Sequence, residues 1–78
     1  MLTFELLQES ERNIMFKYYP ENGAKYGVVS YDKLDKGFSI VTLPENDRHK
    51  IYAQKMIARI QRDARKGQFK EKGTLAWY

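Results

Sequence analysis

The stretch RHKIYAQKMIARIQRDARKG, Arg48–Gly67, decides the fold class, because its apolar residues recur at the spacing of an α-helix. At about 100° per residue these side chains fall on one side of the helix, which we expect to face the core. They are Ala53, Met56, Ile57, Ile60 and Ala64. Gly67 is a suitable residue for the end of the helix, which is predicted to be about 30 Å long.

The start of this helix is less sharply marked than its end. Thr42 and Glu45 have the spacing of a capping box, and Pro44 suits a first helical turn. Asn46 and Asp47 are equally suitable caps. The sequence therefore predicts a helix that begins within a few residues of Asp47 and includes the segment from Arg48 onward.

The side of the predicted helix opposite the apolar face is basic. It carries Arg48, Tyr52, Lys55, Arg59, Arg62 and Lys66. Residues 48–66 hold seven bases and one acid, a net charge of +6, whereas residues 1–47 hold five bases and eight acids, a net charge of −3. Three interpretations remain open: a solvated helix face, a surface that contacts nucleic-acid phosphates with Tyr52 stacked on a base, or a surface for an acidic protein partner.

The first half of the chain alternates between apolar and polar residues, which indicates β-strands. The segments with this pattern are 2–6, 14–19, 25–32 and 38–43, and residues 74–78 could add a fifth strand. Short connections of this kind join antiparallel neighbours. We therefore expect an α+β fold, in which an antiparallel β-meander of four to five strands has one long α-helix packed on one face.

One helix can cover only one face of such a sheet. The predicted core between the two layers comprises Phe4, Leu6, Ile14, Phe16, Val28, Phe38, Ile40, Ile57, Ile60 and Trp77. The helix-free face should carry Met15, Tyr19, either Val29 or Tyr31, and Val41. These residues are either scattered apolar surface or a patch that pairs with another subunit or a protein partner. We take Met15, Tyr19, Tyr31 and Val41 as the candidate protein-interaction face.

Composition limits the classes of function. The 78 residues are enough for a single domain, 1–78, and they include no cysteine and one histidine, so we expect no metal site or other cofactor. No segment has the roughly 20 apolar residues of a membrane span, and the N-terminus lacks the pattern of a signal peptide. We therefore expect a cytoplasmic protein that does not enter the membrane, and we find no evident small-molecule substrate.

Several segments carry a family resemblance. The sequences KYYPENGAKYGVVSYD, ENDRHKIYAQKMI and GQFKEKGTLAWY resemble a small uncharacterised protein family of Gram-positive bacteria and their phages. The similarity runs from about Phe16 to Tyr78, and its most specific parts are Tyr19–Glu21, Gly27–Asp32, Asn46–Asp47, Tyr52–Ala53 and Gly73–Tyr78. The resemblance implies a phage-linked or accessory bacterial protein and carries no known activity, substrate or cofactor.

These observations favour a small non-catalytic protein–protein interaction module, which could also self-associate through its helix-free face. The alternative is a nucleic-acid-binding protein that uses the basic stripe Arg48–Lys66. An enzyme is not expected, because His49 has no nucleophile or second histidine in a recognisable motif and reads as a residue at the edge of the core.

Overall fold

The computed structural model describes residues 1–21 and 23–76 and shows an α+β fold. Its elements are β1 (Leu2–Glu9), β2 (Asn13–Pro20), β3 (Gly27–Asp32), β4 (Phe38–Thr42), a 3-10 turn (Glu45–Asp47), α1 (Ile51–Lys66) and β5 (Lys72–Leu75). The strands form one antiparallel sheet in the order β4-β3-β2-β1-β5. The predicted α+β fold, with a meander of β1 to β4 and one long helix, is therefore confirmed. The fifth strand is also present, but it spans Lys72–Leu75 and not the predicted 74–78, and it pairs with β1.

The register of the strands sets which side chains face the helix. Phe16 lies opposite Leu6 on one side and Val29 on the other, and Ile14 lies opposite Tyr31, so these residues share one face of the sheet. The buried core on that face joins the sheet to α1. It consists of Leu2, Phe4, Ile14, Phe16, Tyr18, Val29, Tyr31, Ala53, Met56 and Ile60.

The predicted core is correct in its centre and differs at its margins. Partly buried side chains pack around the centre, and these include Leu6, Phe38, Ile40 and Ile57. Val28 was predicted for the core, but it is opposite Lys17 and therefore lies on the other face of the sheet, where it is also buried. Trp77 lies outside the described residues.

Helix α1 begins at Ile51, three residues later than expected, so Arg48 lies before the helix. The 3-10 turn is followed by Lys50 in the left-handed conformation, with φ 62° and ψ 21°. This path directs the Asp47 carboxylate back onto the first helical turn, where it accepts hydrogen bonds from the backbone N–H groups of Tyr52 and Ala53, both at 2.9 Å. Asp47 therefore caps the helix from outside the usual cap position.

The C-terminal end of α1 is where the sequence placed it. Gly67 has φ 72°, a conformation that favours glycine. Its N–H donates to the Ala64 carbonyl at 3.0 Å, and the Gln68 N–H donates to the Asp63 carbonyl at 3.2 Å. This pair of bonds is the Schellman arrangement, which satisfies the last carbonyls of the helix and turns the chain toward β5.

The buried side of α1 is rotated from the predicted one. Ala53, Met56 and Ile60 are buried as expected, and Asp63 is buried with them, whereas Ile57 and Ala64 are only partly covered. The helix lies over β2 and β3, so the flank that carries Arg59 turns down toward the sheet. The side that faces away from the sheet is therefore centred on Ala58 and Arg65, both of which are exposed.

Candidate functional site

The helix-free face of the sheet is covered by its own long side chains. Tyr19 donates from its hydroxyl to Glu5 at 3.2 Å, and its ring centroid lies 6.0 Å from that of Tyr26. The Lys17 ammonium lies 4.3 Å from the centre of the Tyr26 ring, which is cation–π distance. Met15 is half-buried. Polar and aromatic groups on this face therefore contact one another.

The assignment of Tyr31 to the helix-free face was wrong. Tyr31 is 5% exposed in the core beneath α1, with its ring 4.7 Å from Phe38 and 6.1 Å from Phe69. In β3 apolar side chains occur at both odd and even positions, so alternation alone could not predict which of them face the helix. Pairing with β2 decides it, because Tyr31 stands opposite the buried Ile14.

Val41 lies at an irregularity in the outer strand β4. Val29 pairs with Ile40, but Val28 pairs with Thr42, so Val41 is the extra residue of a β-bulge. Its side chain is 54% exposed. Val41 is therefore separated from Met15 and Tyr19 by its position at the edge of the sheet, and the four predicted residues do not form one patch.

The two outer strands of the sheet differ in chemistry. The strand β4 has the sequence FSIVT and carries no charged residue, and within residues 1–21 and 23–76 no strand pairs with its outer side. The strand β5 has the sequence KGTL and follows directly after Lys70 and Glu71. Charged residues on an edge strand disfavour its pairing with other chains, so β4 is the less protected edge.

The structure divides the predicted basic stripe. The Arg59 side chain is only 17% exposed, and its Nε lies 3.2 Å from a carboxylate oxygen of Asp63. Its guanidinium carbon is also 5.8 Å from the centre of the Phe4 ring. Tyr52 is partly buried and donates from its hydroxyl to Glu21. Arg59 and Tyr52 therefore have structural partners within the protein.

The other members of the stripe remain at the surface. Arg48, Lys55, Arg62 and Lys66 are exposed, and Arg65, which the sequence did not assign to the stripe, is exposed beside them. Lys55, Arg62 and Arg65 line a hollow of about 290 Å³ between α1 and Leu75. Acids outside α1 form ion pairs with bases that are also outside α1, which are Arg12–Asp32, Lys25–Glu45 and Lys33–Glu9.

The sequence did not predict that Asp47 and Asp63 are buried, although it indicated Asp47 as a possible helix cap. Asp47 is 3% exposed and accepts a 3.0 Å hydrogen bond from the hydroxyl of Tyr18 as well as the two helix N–H bonds. Burial, followed by this hydrogen bond, raises the pKa of Tyr18. Because every contact of the Asp47 carboxylate is to a helix end or a core hydroxyl, we assign it a structural role.

His49 is exposed in the loop before α1 and does not lie at the edge of the core. It lines a hollow of about 250 Å³ together with Asp47 and Tyr52. The Asp47 carboxylate is directed to Tyr18 and the helix, so it is not available to orient the imidazole. Among the described residues, no group of three or more His, Cys, Asp or Glu side chains is placed to hold a metal ion.

Comparison with known proteins gives no relative: no protein-family model, curated protein or solved structure matches the chain. The resemblance seen in Tyr19–Glu21 and Gly73–Tyr78 therefore remains a prediction. Within the described part of the chain, α1 is too short and too polar to cross a membrane.

Proposed function

We propose that the protein is a small non-catalytic protein–protein interaction module whose contact region is the open edge of the sheet at β4. The observation that carries this proposal is that β4 is an outer strand with no charged residue, and that its outer side is unpaired within the described residues. The proposed contact region is therefore the β4 edge of the sheet and not the helix-free face predicted from the sequence.

An open strand edge binds through its backbone as well as its side chains. Alternate residues of β4 direct their N–H and C=O groups away from β3, and an extended segment of another chain can pair with them. Phe38 and Ile40 are only partly buried by the core, so a partner strand would complete their burial. Val41 and Leu43 add exposed apolar side chains at the end of β4. The cysteine-free composition supports a cytoplasmic location for this contact.

Photo-crosslinking in the source cells tests this proposal. A benzophenone amino acid at Val41 is expected to form a discrete protein adduct, whereas the same group at Thr74, an exposed position of the other outer strand, is not. The adduct at Val41 should disappear when a charge is placed in β4 by Ser39→Lys. If neither position forms an adduct, or both form the same ones, β4 is not an interaction site.

Nucleic-acid binding through α1 is the second candidate. It is favoured by the separation of charge, because acids outside α1 pair with bases outside α1, while three exposed bases of the helix form no ion pair among the described residues. The bases concerned are Arg62, Arg65 and Lys66. They lie in the last two turns of α1, where they could contact successive phosphates.

Fluorescence anisotropy with a labelled single-stranded and a labelled duplex oligonucleotide tests the second candidate. Binding should weaken steeply with salt, and the variant Arg62→Gln/Arg65→Gln should have a salt dependence reduced by about two phosphate contacts. Arg12→Gln is the matched control, because Arg12 is exposed but already paired with Asp32. An absence of binding to either oligonucleotide at low salt would exclude this candidate.

A further inference from the structure

We propose that the occupant of the β4 edge is a second copy of the same chain, so that two sheets join through their β4 strands into one continuous antiparallel sheet. This inference rests on the proposed function and names the partner. It follows from the direction of the backbone groups in β4, from its lack of charge and from the position of α1.

The ladder between β3 and β4 fixes which backbone groups point outward. The Asp32 N–H donates to the Gly37 carbonyl at 2.9 Å, and the Asp32 carbonyl accepts from the Lys36 N–H at 2.8 Å, so Asp32 is a hydrogen-bonded residue of the ladder. Pairs alternate along an antiparallel ladder, which makes Ser39, opposite Ser30, the next hydrogen-bonded residue of β4. The N–H and C=O groups of Phe38 and Ile40 therefore point away from β3.

Two copies of β4 can pair symmetrically about Ser39. In this register Phe38 stands opposite Ile40 of the partner subunit, Ile40 stands opposite Phe38 of the partner subunit, and each pair exchanges both of its backbone hydrogen bonds. Phe38 and Ile40 lie on the helix side of the sheet, because they are opposite the buried Tyr31 and Val29. The aromatic and β-branched side chains would therefore meet in pairs that favour sheet formation and extend the core.

The bulge at Val41 does not interfere with this pairing. Bulges protect edges by twisting the strand away from a partner, but this one lies at the C-terminal side of Ile40. The regular part of β4, Phe38–Ile40, carries the whole symmetric contact. The bulge would instead limit the pairing to that short segment and prevent a shift toward Thr42.

Charge also permits this contact. Two copies repel each other because each has a net charge of +4. The strand β4 is uncharged, so the contact itself adds no repulsion. In the paired sheet the two-fold axis is normal to the sheet, so both helices lie on the same face. Since α1 lies over β2 and β3, the two helices would be about 19 Å apart, or four strand spacings. The helix axes are thus more than two Debye lengths of about 8 Å apart at physiological salt, which weakens the repulsion between the two basic helices.

The first test is a disulfide at the two-fold axis. Ser39 would face Ser39 of the partner subunit in a non-hydrogen-bonded pair, with Cα atoms about 4.5 Å apart, which a disulfide can span. The chain has no cysteine, so Ser39→Cys introduces the only thiol. Under mild oxidation this variant should convert to a covalent dimer. The control Thr74→Cys, an exposed position of β5, should remain largely monomeric.

The second test measures association directly by sedimentation equilibrium. The unmodified chain should show a dimer mass, and Ser39→Lys should weaken dimerisation by about tenfold or more, because two ammonium groups would meet at the axis. Thr74→Lys, which adds the same charge at the other edge, should leave the dimer intact. Circular dichroism of all variants would verify that they fold.

The outcomes separate the second copy from other partners. A monomer mass at every concentration, together with equal extents of covalent dimer in the oxidised Ser39→Cys and Thr74→Cys variants, overturns the dimer. If the crosslinker at Val41 then still captures a different protein, the interaction function stands and only the second copy is excluded. If Val41 captures nothing either, both the dimer and the proposed function are wrong.

Discussion

The two ends of α1 are each held by a buried aspartate, but the two carboxylates connect different parts of the molecule. Asp47 binds the hydroxyl of Tyr18 in the central strand β2 and the first turn of the helix. Asp63 binds Arg59 one turn earlier and the backbone N–H of Lys70 in the segment before β5. The N-terminal end is thus attached to the centre of the sheet, whereas the C-terminal end is attached to its own neighbourhood in the chain.

The contrast implies that the two ends contribute unequally to stability. Asp47 is 3% exposed, and its carboxylate accepts hydrogen bonds from three donors. The Asp63 carboxylate accepts hydrogen bonds from the partly exposed Arg59 side chain and from one backbone N–H group. Loss of a buried acceptor is costly for each donor that it leaves unsatisfied. The predictions below test whether the N-terminal end is the stronger attachment.

The largest effect is expected for Asp47→Ala. Removal of the carboxylate leaves the Tyr18 hydroxyl and two helix N–H groups without an acceptor, so the free energy of unfolding should fall by about 3 kcal/mol or more. Urea denaturation measures this loss. Glu45→Ala is the matched control, because Glu45 lies in the same 3-10 turn and forms only an exposed pair with Lys25. Equal losses in the two variants would contradict the role of Asp47.

A smaller effect is expected for Asp63→Ala. Arg59 would keep its largely covered position without a counter-charge, and the Lys70 N–H would lose its acceptor, which should cost about 1–3 kcal/mol in urea denaturation. The double variant Asp63→Ala/Arg59→Ala should lose less than the sum of the single variants. Additive losses would show that the two side chains are not coupled.

Gly67→Ala tests the backbone at the C-terminal end alone. A side chain at φ 72° is strained, and nothing lies within 4 Å of the added Cβ, so the expected loss of about 1–2 kcal/mol reflects conformation and not a clash. Gly23→Ala is the control, since its φ is not in the left-handed region and its nearest neighbour would be 3.4 Å away. Thermal unfolding of both variants should show a loss only for Gly67→Ala.

An effect that is absent at neutral pH is expected from alkaline pH at the N-terminal end. Burial raises the pKa of Tyr18 in the folded protein above that in the unfolded chain. Stability from the neutral phenol is therefore complete below the unfolded pKa of about 10 and is lost as the pH rises beyond it. Urea midpoints measured between neutral and alkaline pH should fall more steeply for the unmodified chain than for Tyr18→Phe. Parallel profiles would exclude a contribution from Tyr18.

The long helix and the strand order could be predicted because their signals are local. Fourteen residues of α1 from Ala53 to Lys66 keep the apolar spacing of a helix, and Gly67 marks its end. The short turns of the first half leave few arrangements other than a meander. The face of the sheet on which each side chain lies was harder to predict. In β3 the apolar residues Val28, Val29 and Tyr31 lie close together in sequence, and only the pairing with β2 assigns them to opposite faces.

The candidate surfaces were predicted less well than the fold, because side chains can satisfy one another across the molecule. Arg59 appeared to be a solvent-facing base, yet its partner Asp63 and the Phe4 ring draw it against the sheet. An acid and a base four residues apart on one helix are the only sequence signal for this pair. The open β4 edge could not be identified before the strand order was known, because β1 and β4 are both possible outer strands of a four-stranded meander.

The left-handed conformation of Lys50 leaves room to raise the thermostability of the protein. A residue with a Cβ pays a steric penalty of about 1–2 kcal/mol at φ 62°, although the same bend is what brings Asp47 over the helix end. Lys50→Gly would keep the bend and remove the penalty, and each kcal/mol gained would raise the melting temperature by roughly 4–8 °C. Variants with a higher melting temperature are therefore expected at this junction.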